Sequence, residues 1–305
     1  MTRHYRYLAA MRYWVLILTI TTMTACSSDR DAEFDWQGHR GARGLLPENT
    51  IPAFKKAMEL GVNTLELDVV VTADSQIIIS HEPWLSHHIC RMPDGSDITE
   101  DTARSLNIYQ MTAAEVQRYD CGTLPQARFP DQKQMPASKP LLSEMVEAVE
   151  ILADQQGCAA PRYNIEIKSL PEGYDIYVPR PQVFVRLLLN ELSKLGIAAR
   201  TSVQSFDVNV LNELHRQAPD QTSVYLVEST DDIPASMALL EFTPDIYSPY
   251  YVGLTREKVA DLQARGMRVI PWTVNEVTEM QEMRDIGVDG LITDYPNRIA
   301  DVEGR

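Results

Sequence analysis

The chain has 305 residues, of which 44% are hydrophobic and 23% are charged, and its formal charge is −15 at pH 7. This length accommodates one large domain or two modest ones, and the composition excludes disorder of the whole chain. A surface of this charge repels nucleic acid, so nucleic-acid binding is excluded as a function.

Residues 1–25 have the pattern of an export signal. Basic residues precede an apolar run over 13–20, which is too short for an ordinary membrane-spanning helix of about 20 residues. The small residues before Cys26 resemble the lipobox of bacterial lipoproteins, in which the cysteine is lipid-modified and begins the mature chain. We expect a lipid anchor at Cys26 and a polar tether over 26–33. Ser27 favours an outer-membrane location facing the periplasm; a plain secretory signal or an uncleaved anchor is the alternative.

From residue 34 onward, short apolar strands alternate with helical patterns, which is typical of parallel βαβ units. Strands are predicted at 34–39, 64–71, 163–168, 201–205, 223–227, 245–248, 268–272 and 290–293. Eight such units predict a single α/β domain over 34–305, a closed (β/α)₈ barrel. A ninth run at 76–80 is predicted to form a hairpin extension of the second strand.

Helical patterns occupy the gaps between the predicted strands. The first helix has Thr50 as its predicted N-cap, Pro52 in its first turn and Gly61 at its end. Further helices are predicted at 180–195, 207–217, 255–265 and 277–285.

An irregular insertion at 83–139 interrupts this alternation. A loop of this length is usually functional, and we expect it to cover one end of the barrel and shape a cleft. Export permits disulfides, and three pairings are possible among Cys90, Cys121 and Cys158, each leaving one thiol over. Cys90 with Cys121 is preferred because both lie in the insertion, and that bridge would stabilise the fold by about 3 kcal/mol.

Acidic residues stand at the carboxyl ends of two predicted strands. Glu66 and Asp68 are two residues apart on one strand and therefore project to the same face, and Glu166 with Lys168 repeats this spacing on the next barrel strand. Three inward carboxylates repel one another unless a cation joins them. Oxygen ligands favour Ca²⁺ or Mg²⁺ over zinc. We predict one divalent cation held by Glu66, Asp68 and Glu166, with a buried salt-bridge network as the alternative.

Two histidines flank this acidic cluster. His39 closes the first strand and His81 closes the hairpin extension, so each can reach the barrel mouth. Histidine exchanges protons near neutral pH, and cleavage of a phosphodiester needs such an exchange at the attacking hydroxyl and at the leaving oxygen. The pair is predicted to be catalytic; a structural, hydrogen-bonded role is the alternative.

Positive charge accompanies the carboxylates. Arg40, through its forked guanidinium, and Lys168, as a point charge, are predicted to bind a phosphoryl group. Salt bridges from Arg40 to Glu48 and from Lys168 to Glu166 are the alternative roles.

Three further residues are candidates for a supporting role. Glu48 and Asn49 either orient Arg40 or His39 or contribute to the ion directly. Trp272, at the end of the seventh barrel strand, either lines the substrate pocket or is a buried aromatic of the barrel.

The order and spacing of these residues resemble the glycerophosphodiester phosphodiesterase family, and the likeness covers almost all of the chain after the leader. It is carried by His39-Arg40-Gly41, Glu48-Asn49-Thr50, Glu66-Leu67-Asp68-Val69, His81, Ile165-Glu166-Ile167-Lys168, Gln204-Ser205-Phe206, Pro271-Trp272-Thr273-Val274-Asn275 and Leu291-Ile292-Thr293-Asp294-Tyr295-Pro296. One departure is Glu82, where the family usually has aspartate. This change leaves His81 in place but puts its hydrogen-bonding partner in doubt.

The resemblance implies a TIM barrel with an insertion after the extended second strand and metal-dependent hydrolysis of glycerophosphodiesters to glycerol 3-phosphate and an alcohol. It implies Glu66, Asp68 and Glu166 as metal ligands and His39 with His81 as the acid–base pair. A lysophospholipase D, a phosphodiester lyase that stops at a cyclic product and a catalytically silent lipoprotein that binds phosphorylated ligands are the alternatives. The alcohol, the cation and the oligomeric state stay open.

Overall fold

The computed structural model describes residues 34–304. The predicted signal, the tether and the lipidation site at Cys26 lie outside the described residues. Within the described range, no helix combines the length and the apolar character needed to cross a membrane.

The core of the molecule is one sheet of nine strands, eight of which are the staves of a barrel. The strands are β1 (Asp35–Gly38), β2 (Thr64–Val71), β3 (Ile77–Ile79), β4 (Arg162–Ile167), β5 (Thr201–Ser205), β6 (Ser223–Val227), β7 (Ile246–Pro249), β8 (Arg268–Val269) and β9 (Gly290–Thr293). Their order is β8-β7-β6-β5-β4-β2-β1-β9, and all of these neighbours pair in parallel. The third strand pairs with β2 in antiparallel register, as a hairpin extension.

The two ends of this order, β8 and β9, meet through backbone hydrogen bonds. Asp289 donates to the carbonyl of Val269 at 2.9 Å, and Ile292 donates to that of Pro271 at 2.9 Å. The barrel is therefore nearly closed, and the predicted (β/α)₈ fold is confirmed. The eighth strand is shorter than the predicted 268–272 because Pro271 has no backbone N–H, although Trp272 still donates to Pro249 of β7 at 3.0 Å.

A helix follows each stave on the outside. The described residues form ten helices: α1 (Ile51–Glu59), α2 (Glu100–Ala103), α3 (Ala113–Val116), α4 (Leu142–Gln156), α5 (Pro181–Leu195), α6 (Val208–Gln217), α7 (Ile233–Met237), α8 (Arg256–Ala264), α9 (Val277–Ile286) and α10 (Ile299–Glu303). Thr50 caps α1 by accepting a hydrogen bond from the backbone N–H of Ala53 at 3.4 Å. Buried apolar side chains of the staves and helices form two large clusters between the layers.

The helix after the hairpin, α4, was not predicted. Its apolar residues recur with helical spacing, and Leu142, Met145, Val149 and Ala153 are buried. This periodicity was present in the sequence, but a leucine occupies the N-cap position, where a polar capping residue would have marked the start.

The insertion carries α2, α3 and a small core of its own. Leu85, Ile108 and Val116 pack with Val70 and Ile78 of the β2–β3 hairpin. The preferred pairing of Cys90 with Cys121 is confirmed. Among residues 34–304 no cysteine is free, so the expectation of a left-over thiol is wrong.

Candidate active site

The staves β2 and β4 bring the three predicted ligands together. Their parallel register pairs Asp68 with Glu166, and Glu66 lies two residues before Asp68 on the same face. One carboxylate oxygen from each residue lies within 4.8 Å of the others. All three side chains are buried in the mouth of the barrel.

The pKa values of the three carboxyl groups are shifted because the groups are buried close together. Burial, with the charge of Asp68, raises the pKa of Glu66 well above its ordinary value, and burial also raises the pKa of Glu166. Burial opposes the ionisation of Asp68 as well, but the Arg40 guanidinium holds the pKa of Asp68 well below its ordinary value.

One oxygen of the cluster is available for a ligand. Oδ1 of Asp68 is buried and accepts no hydrogen bond from any described residue. A buried acceptor without a partner costs about 1–3 kcal/mol. Hard divalent cations such as Ca²⁺ and Mg²⁺ bind to carboxylate oxygens. Three carboxylates, one with an oxygen that accepts no hydrogen bond from the described residues, therefore fit the divalent cation that the sequence predicts.

The predicted phosphate-binding cations lie beside this cluster. The Nη1 atom of Arg40 donates to Oε1 of Glu48 at 2.8 Å, and its Nε lies 3.2 Å from Oδ2 of Asp68. The Lys168 ammonium lies 2.8 Å from Oε1 of Glu166 and 3.8 Å from Oδ1 of Asp68. Both of the alternative salt bridges are therefore present, yet Arg40 and Lys168 also line the central cavity.

The two supporting residues take different positions. Glu48 binds Arg40, whereas Asn49 donates from Nδ2 to Oδ2 of Asp68 at 2.8 Å. The turn that places them is tight: Arg40 and Asn49 have φ of +50° and +57°, and Gly41 has φ of +84°. A Cβ atom on Gly41 would lie 2.6 Å from the carbonyl carbon of Ala53, so the close approach of this turn to α1 requires glycine.

His39 stands directly after β1 and is held by a carboxylate that the sequence analysis did not single out. Nδ1 of His39 lies 2.8 Å from Oδ1 of Asp294, and Nε2 lies 3.9 Å from Oε2 of Glu66. Burial and the nearby Arg43 lower the pKa of His39 to about 4, although Asp294 opposes this shift. A proton on Nδ1, shared with Asp294, leaves the lone pair on Nε2.

His81 has the same arrangement on the hairpin side of the mouth. Its Nδ1 lies 2.8 Å from Oε1 of Glu82. Burial opposes ionisation of Glu82, but the hydrogen bond from His81 and its charge lower the pKa of Glu82 to about 2. The glutamate that departs from the family pattern therefore still supplies the partner of His81. The side chain of His81 is 29% exposed, against 12% for His39.

A second residue that the sequence analysis did not single out is Gln204, on β5. Its Nε2 donates to Oε1 of Glu66 at 2.6 Å, and its Oε1 accepts from Asn164 at 3.0 Å. Both Gln204 and Asp294 belong to segments that carried the family resemblance, which is the signal that could have marked them.

Most of these groups line one cavity of about 1050 Å³: His39, Arg40, Glu66, His81, Glu166, Lys168, Gln204 and Asp294. Trp272 lines it and is half-buried, and its Nε1 donates to the carbonyl of Ser248 at 3.0 Å. Trp272 therefore belongs to the cavity wall, and its role in binding substrate stays a prediction. The insertion contributes Trp84, Arg104 and Arg128 to the cavity wall.

Comparison with known proteins agrees with this architecture. The model of the glycerophosphoryl diester phosphodiesterase family matches residues 39–298. A glycerophosphodiester phosphodiesterase of Caldanaerobacter subterraneus is 28% identical, over 86% of this chain and 94% of its own. A lysophospholipase D of Rattus norvegicus is 26% identical, over 86% of this chain and 83% of its own.

Among solved structures, a protein of Silicibacter pomeroyi described as a glycerophosphoryl diester phosphodiesterase is 32% identical. It superimposes with a TM-score of 0.77 and covers 89% of this chain and 93% of its own. The expected family is confirmed. The chain belongs to the glycerophosphoryl diester phosphodiesterase family.

Proposed function

We propose that the protein hydrolyses glycerophosphodiesters to glycerol 3-phosphate and an alcohol, with one divalent cation, Ca²⁺ or Mg²⁺. One observation carries the proposal: three buried carboxylates lie within 4.8 Å of one another beside two histidines, each with its own carboxylate partner, and Glu66, Glu166 and both histidines line one cavity. This set can hold a cation and can take up and release a proton at two separate points.

Glu66, Asp68 and Glu166 would hold the cation. When bound there, it would neutralise developing negative charge on the phosphoryl group. Arg40 and Lys168 share that task, because both line the cavity and both lie within 4 Å of the Asp68 carboxylate. Their ion pairs keep them in place before the substrate arrives, which is the electrostatic preorganisation that catalysis requires.

The histidines divide the proton transfers between the two oxygens. His39, the more buried of the two, accepts the proton of the glycerol 2-hydroxyl on Nε2 while that oxygen attacks phosphorus. The bond from phosphorus to the alcohol oxygen breaks, and His81, nearer to solvent, donates a proton to that oxygen. Water then attacks the phosphorus of the cyclic glycerol phosphate: His81 takes up a proton from this water, the bond from phosphorus to the 2-oxygen breaks, and His39 returns its proton to that oxygen.

This division is tested by changing the leaving group. His39→Ala and His81→Ala should each lower turnover of glycerophosphocholine by roughly 10²–10⁴. A nitrophenyl ester of glycerol phosphate needs no protonation of its leaving oxygen, so it should restore the release of nitrophenol to His81→Ala and not to His39→Ala. The opposite pattern would exchange the two roles, and full activity of either variant would refute its assignment.

Metal dependence has a separate test. Dialysis against a chelator should abolish turnover, and titration with Ca²⁺ or Mg²⁺ should identify the cation that restores it. Asp68→Asn should weaken cation binding in calorimetry, whereas Asp301→Asn, at an exposed position on α10, serves as the charge-matched control. Chelator-insensitive turnover would refute the proposal. Phosphorus NMR of the product distinguishes hydrolysis from a lyase, because a lyase accumulates the cyclic phosphate.

A lysophospholipase D activity is a second candidate, favoured by an apolar side chain at the cavity rim. Leu170 is 53% exposed and lines the cavity. It could contact the acyl chain of a lysophospholipid, and the relative from Rattus norvegicus has the name lysophospholipase D. Leu170→Asp should then lower choline release from lysophosphatidylcholine more than from glycerophosphocholine. An equal effect on both substrates would exclude this role.

The proposal includes export and lipid anchoring at Cys26, with the enzyme facing the periplasm from the outer membrane. The support is the pattern of residues 1–26. Labelling with a fatty acid analogue in a bacterial host should mark the wild type and not Cys26→Ala. Membrane fractionation would then identify the membrane, and an unlabelled wild type would contradict the anchor.

A further inference from the structure

Aromatic side chains line the half of the barrel that does not carry the metal-site carboxylates. Phe206, Tyr250 and Trp272 follow β5, β7 and β8, whereas the carboxylates belong to β2 and β4. Because the carboxyl ends of parallel strands meet at one edge, the three rings face the same cavity as the proposed phosphate site. In the strand order β7, which Tyr250 follows, lies opposite β2.

The three rings form one cluster of defined geometry. The centroid of Trp272 lies 5.5 Å from that of Phe206, with the rings at 89°, and 5.5 Å from that of Tyr250, with the rings at 54°. The hydrogen bond from Trp272 Nε1 to Ser248 fixes the indole. All three side chains line the cavity, and the π-face of an aromatic ring attracts an organic cation.

A carboxylate stands beside this cluster. Glu228 directly follows β6, and the register that pairs Val227 with Pro249 places it next to Tyr250. It lines the cavity, is exposed, and has no ion-pair or hydrogen-bond partner among residues 34–304. Glu66 and Glu166, by contrast, are both engaged by donors. The negative charge of Glu228 is therefore available to a ligand.

The arginine and lysine side chains that line the cavity all lie on one side of it. Arg40, Lys168 and the insertion residues Arg104 and Arg128 supply positive charge on the β1–β4 side. Glu228 lies on the other side, at the end of β6. A bound molecule that carries a phosphate at one end and a cation at the other would match both sides. A volume of about 1050 Å³ is ample for a small diester of this kind.

We propose that Phe206, Tyr250, Trp272 and Glu228 form a headgroup subsite that selects glycerophosphodiesters whose alcohol carries a quaternary ammonium group. This assignment of a headgroup subsite depends on the proposed hydrolysis of glycerophosphodiesters. Aromatic faces attract the diffuse charge of such a group without having to donate hydrogen bonds, and the adjacent carboxylate adds Coulomb attraction.

The test compares kcat/KM for glycerophosphocholine with kcat/KM for glycerophosphoglycerol, whose alcohol is uncharged. The wild type should prefer the choline diester. Glu228→Gln and Tyr250→Leu should each lower that ratio by about fivefold, whereas Tyr250→Phe, which keeps the ring, should retain it. Glu282→Gln, which removes an exposed charge on the outer helix α9, is the matched control.

Binding of tetramethylammonium, followed by calorimetry, is independent of turnover. Weaker binding to Glu228→Gln and Tyr250→Leu than to wild type supports the subsite even if no diester is cleaved, in which case only the proposed function fails. If diesters are cleaved and the ratio is unaffected by both variants, the subsite is refuted while the diesterase function stands. A wild type that prefers glycerophosphoglycerol also refutes it.

Discussion

The substitution Asp294→Asn tests how the barrel prepares His39 for catalysis. The Asp294 carboxylate lies 2.8 Å from Nδ1 of His39 and accepts hydrogen bonds from Arg43 Nε at 2.7 Å, Arg43 Nη2 at 3.1 Å and Asn275 at 2.9 Å. An amide offers only one acceptor oxygen, so its NH₂ group must face a donor. If it faces His39, the imidazole proton moves to Nε2, the atom that should accept a proton from substrate. We expect kcat to fall by roughly 10²–10⁴.

The same change should also cost stability. Removal of one charge from a buried pair typically costs about 3–5 kcal/mol. We expect about 3 kcal/mol here, because Arg43 retains Glu48 at 3.7 Å and the face of Phe129 at 4.7 Å. A urea titration measures the loss, and circular dichroism confirms that the variant is folded in the activity assay.

The pH dependence of this loss follows from the ionisation of Asp294. Burial opposes ionisation, but His39 and Arg43 hold the pKa of Asp294 well below its ordinary value. The stabilisation is therefore fully present above the unfolded-state pKa of about 3.9 and is lost as the pH falls below it. The difference in unfolding free energy between wild type and Asp294→Asn should be constant from pH 7 to 5 and should narrow below pH 4.

A control separates the catalytic effect from the structural one. Glu150 accepts hydrogen bonds from the hydroxyl of Tyr163 at 2.7 Å and from Arg200 at 2.8 Å, and it does not line the active-site cavity. Glu150→Gln should lower stability with kcat within about twofold of wild type. A folded Asp294→Asn protein with wild-type kcat would refute the role assigned to the contact with His39.

Three further outcomes follow from the structure. Gln204→Leu removes the 2.6 Å hydrogen bond to Glu66 and should weaken Ca²⁺ or Mg²⁺ binding by about 10–100-fold in calorimetry, whereas an unchanged dissociation constant would show that Glu66 needs no such support. Reduction of the Cys90–Cys121 bridge, or Cys121→Ser, should lower the free energy of unfolding by about 3 kcal/mol in urea titration; equal stability of the oxidised and reduced proteins would contradict this. Glu82, with a pKa of about 2 in the folded protein, should contribute stability that is present above about pH 4.5 and lost toward pH 2, so Glu82→Gln should flatten this part of the stability profile; an unaltered acid limb would speak against it.

Local patterns in the chain were sufficient for most of the barrel. The strands Thr64–Val71 and Thr201–Ser205 have the predicted bounds, because apolar runs between turn residues identify buried strands without knowledge of their neighbours. The helix Leu142–Gln156 shows where this reasoning failed: its periodicity was clear, but its start has no polar cap. Spacing also places Glu66, Asp68 and Glu166 at strand ends, where a parallel barrel brings such residues together.

The sequence by itself therefore determined the barrel, the acidic cluster and the two histidines, since each depends on side-chain periodicity and on the position of a residue along its own strand. Only the tertiary structure decided which side chains form hydrogen bonds to the histidines and to the acidic cluster. Asp294 contacts His39 across 255 positions of the sequence because β9 pairs with β1 as the barrel closes. Gln204 contacts Glu66 across 138 positions because β4 alone separates β5 from β2. Hydrogen bonds between distant segments depend on strand order and register, and no local pattern encodes the partner that closure of the sheet brings within 3 Å.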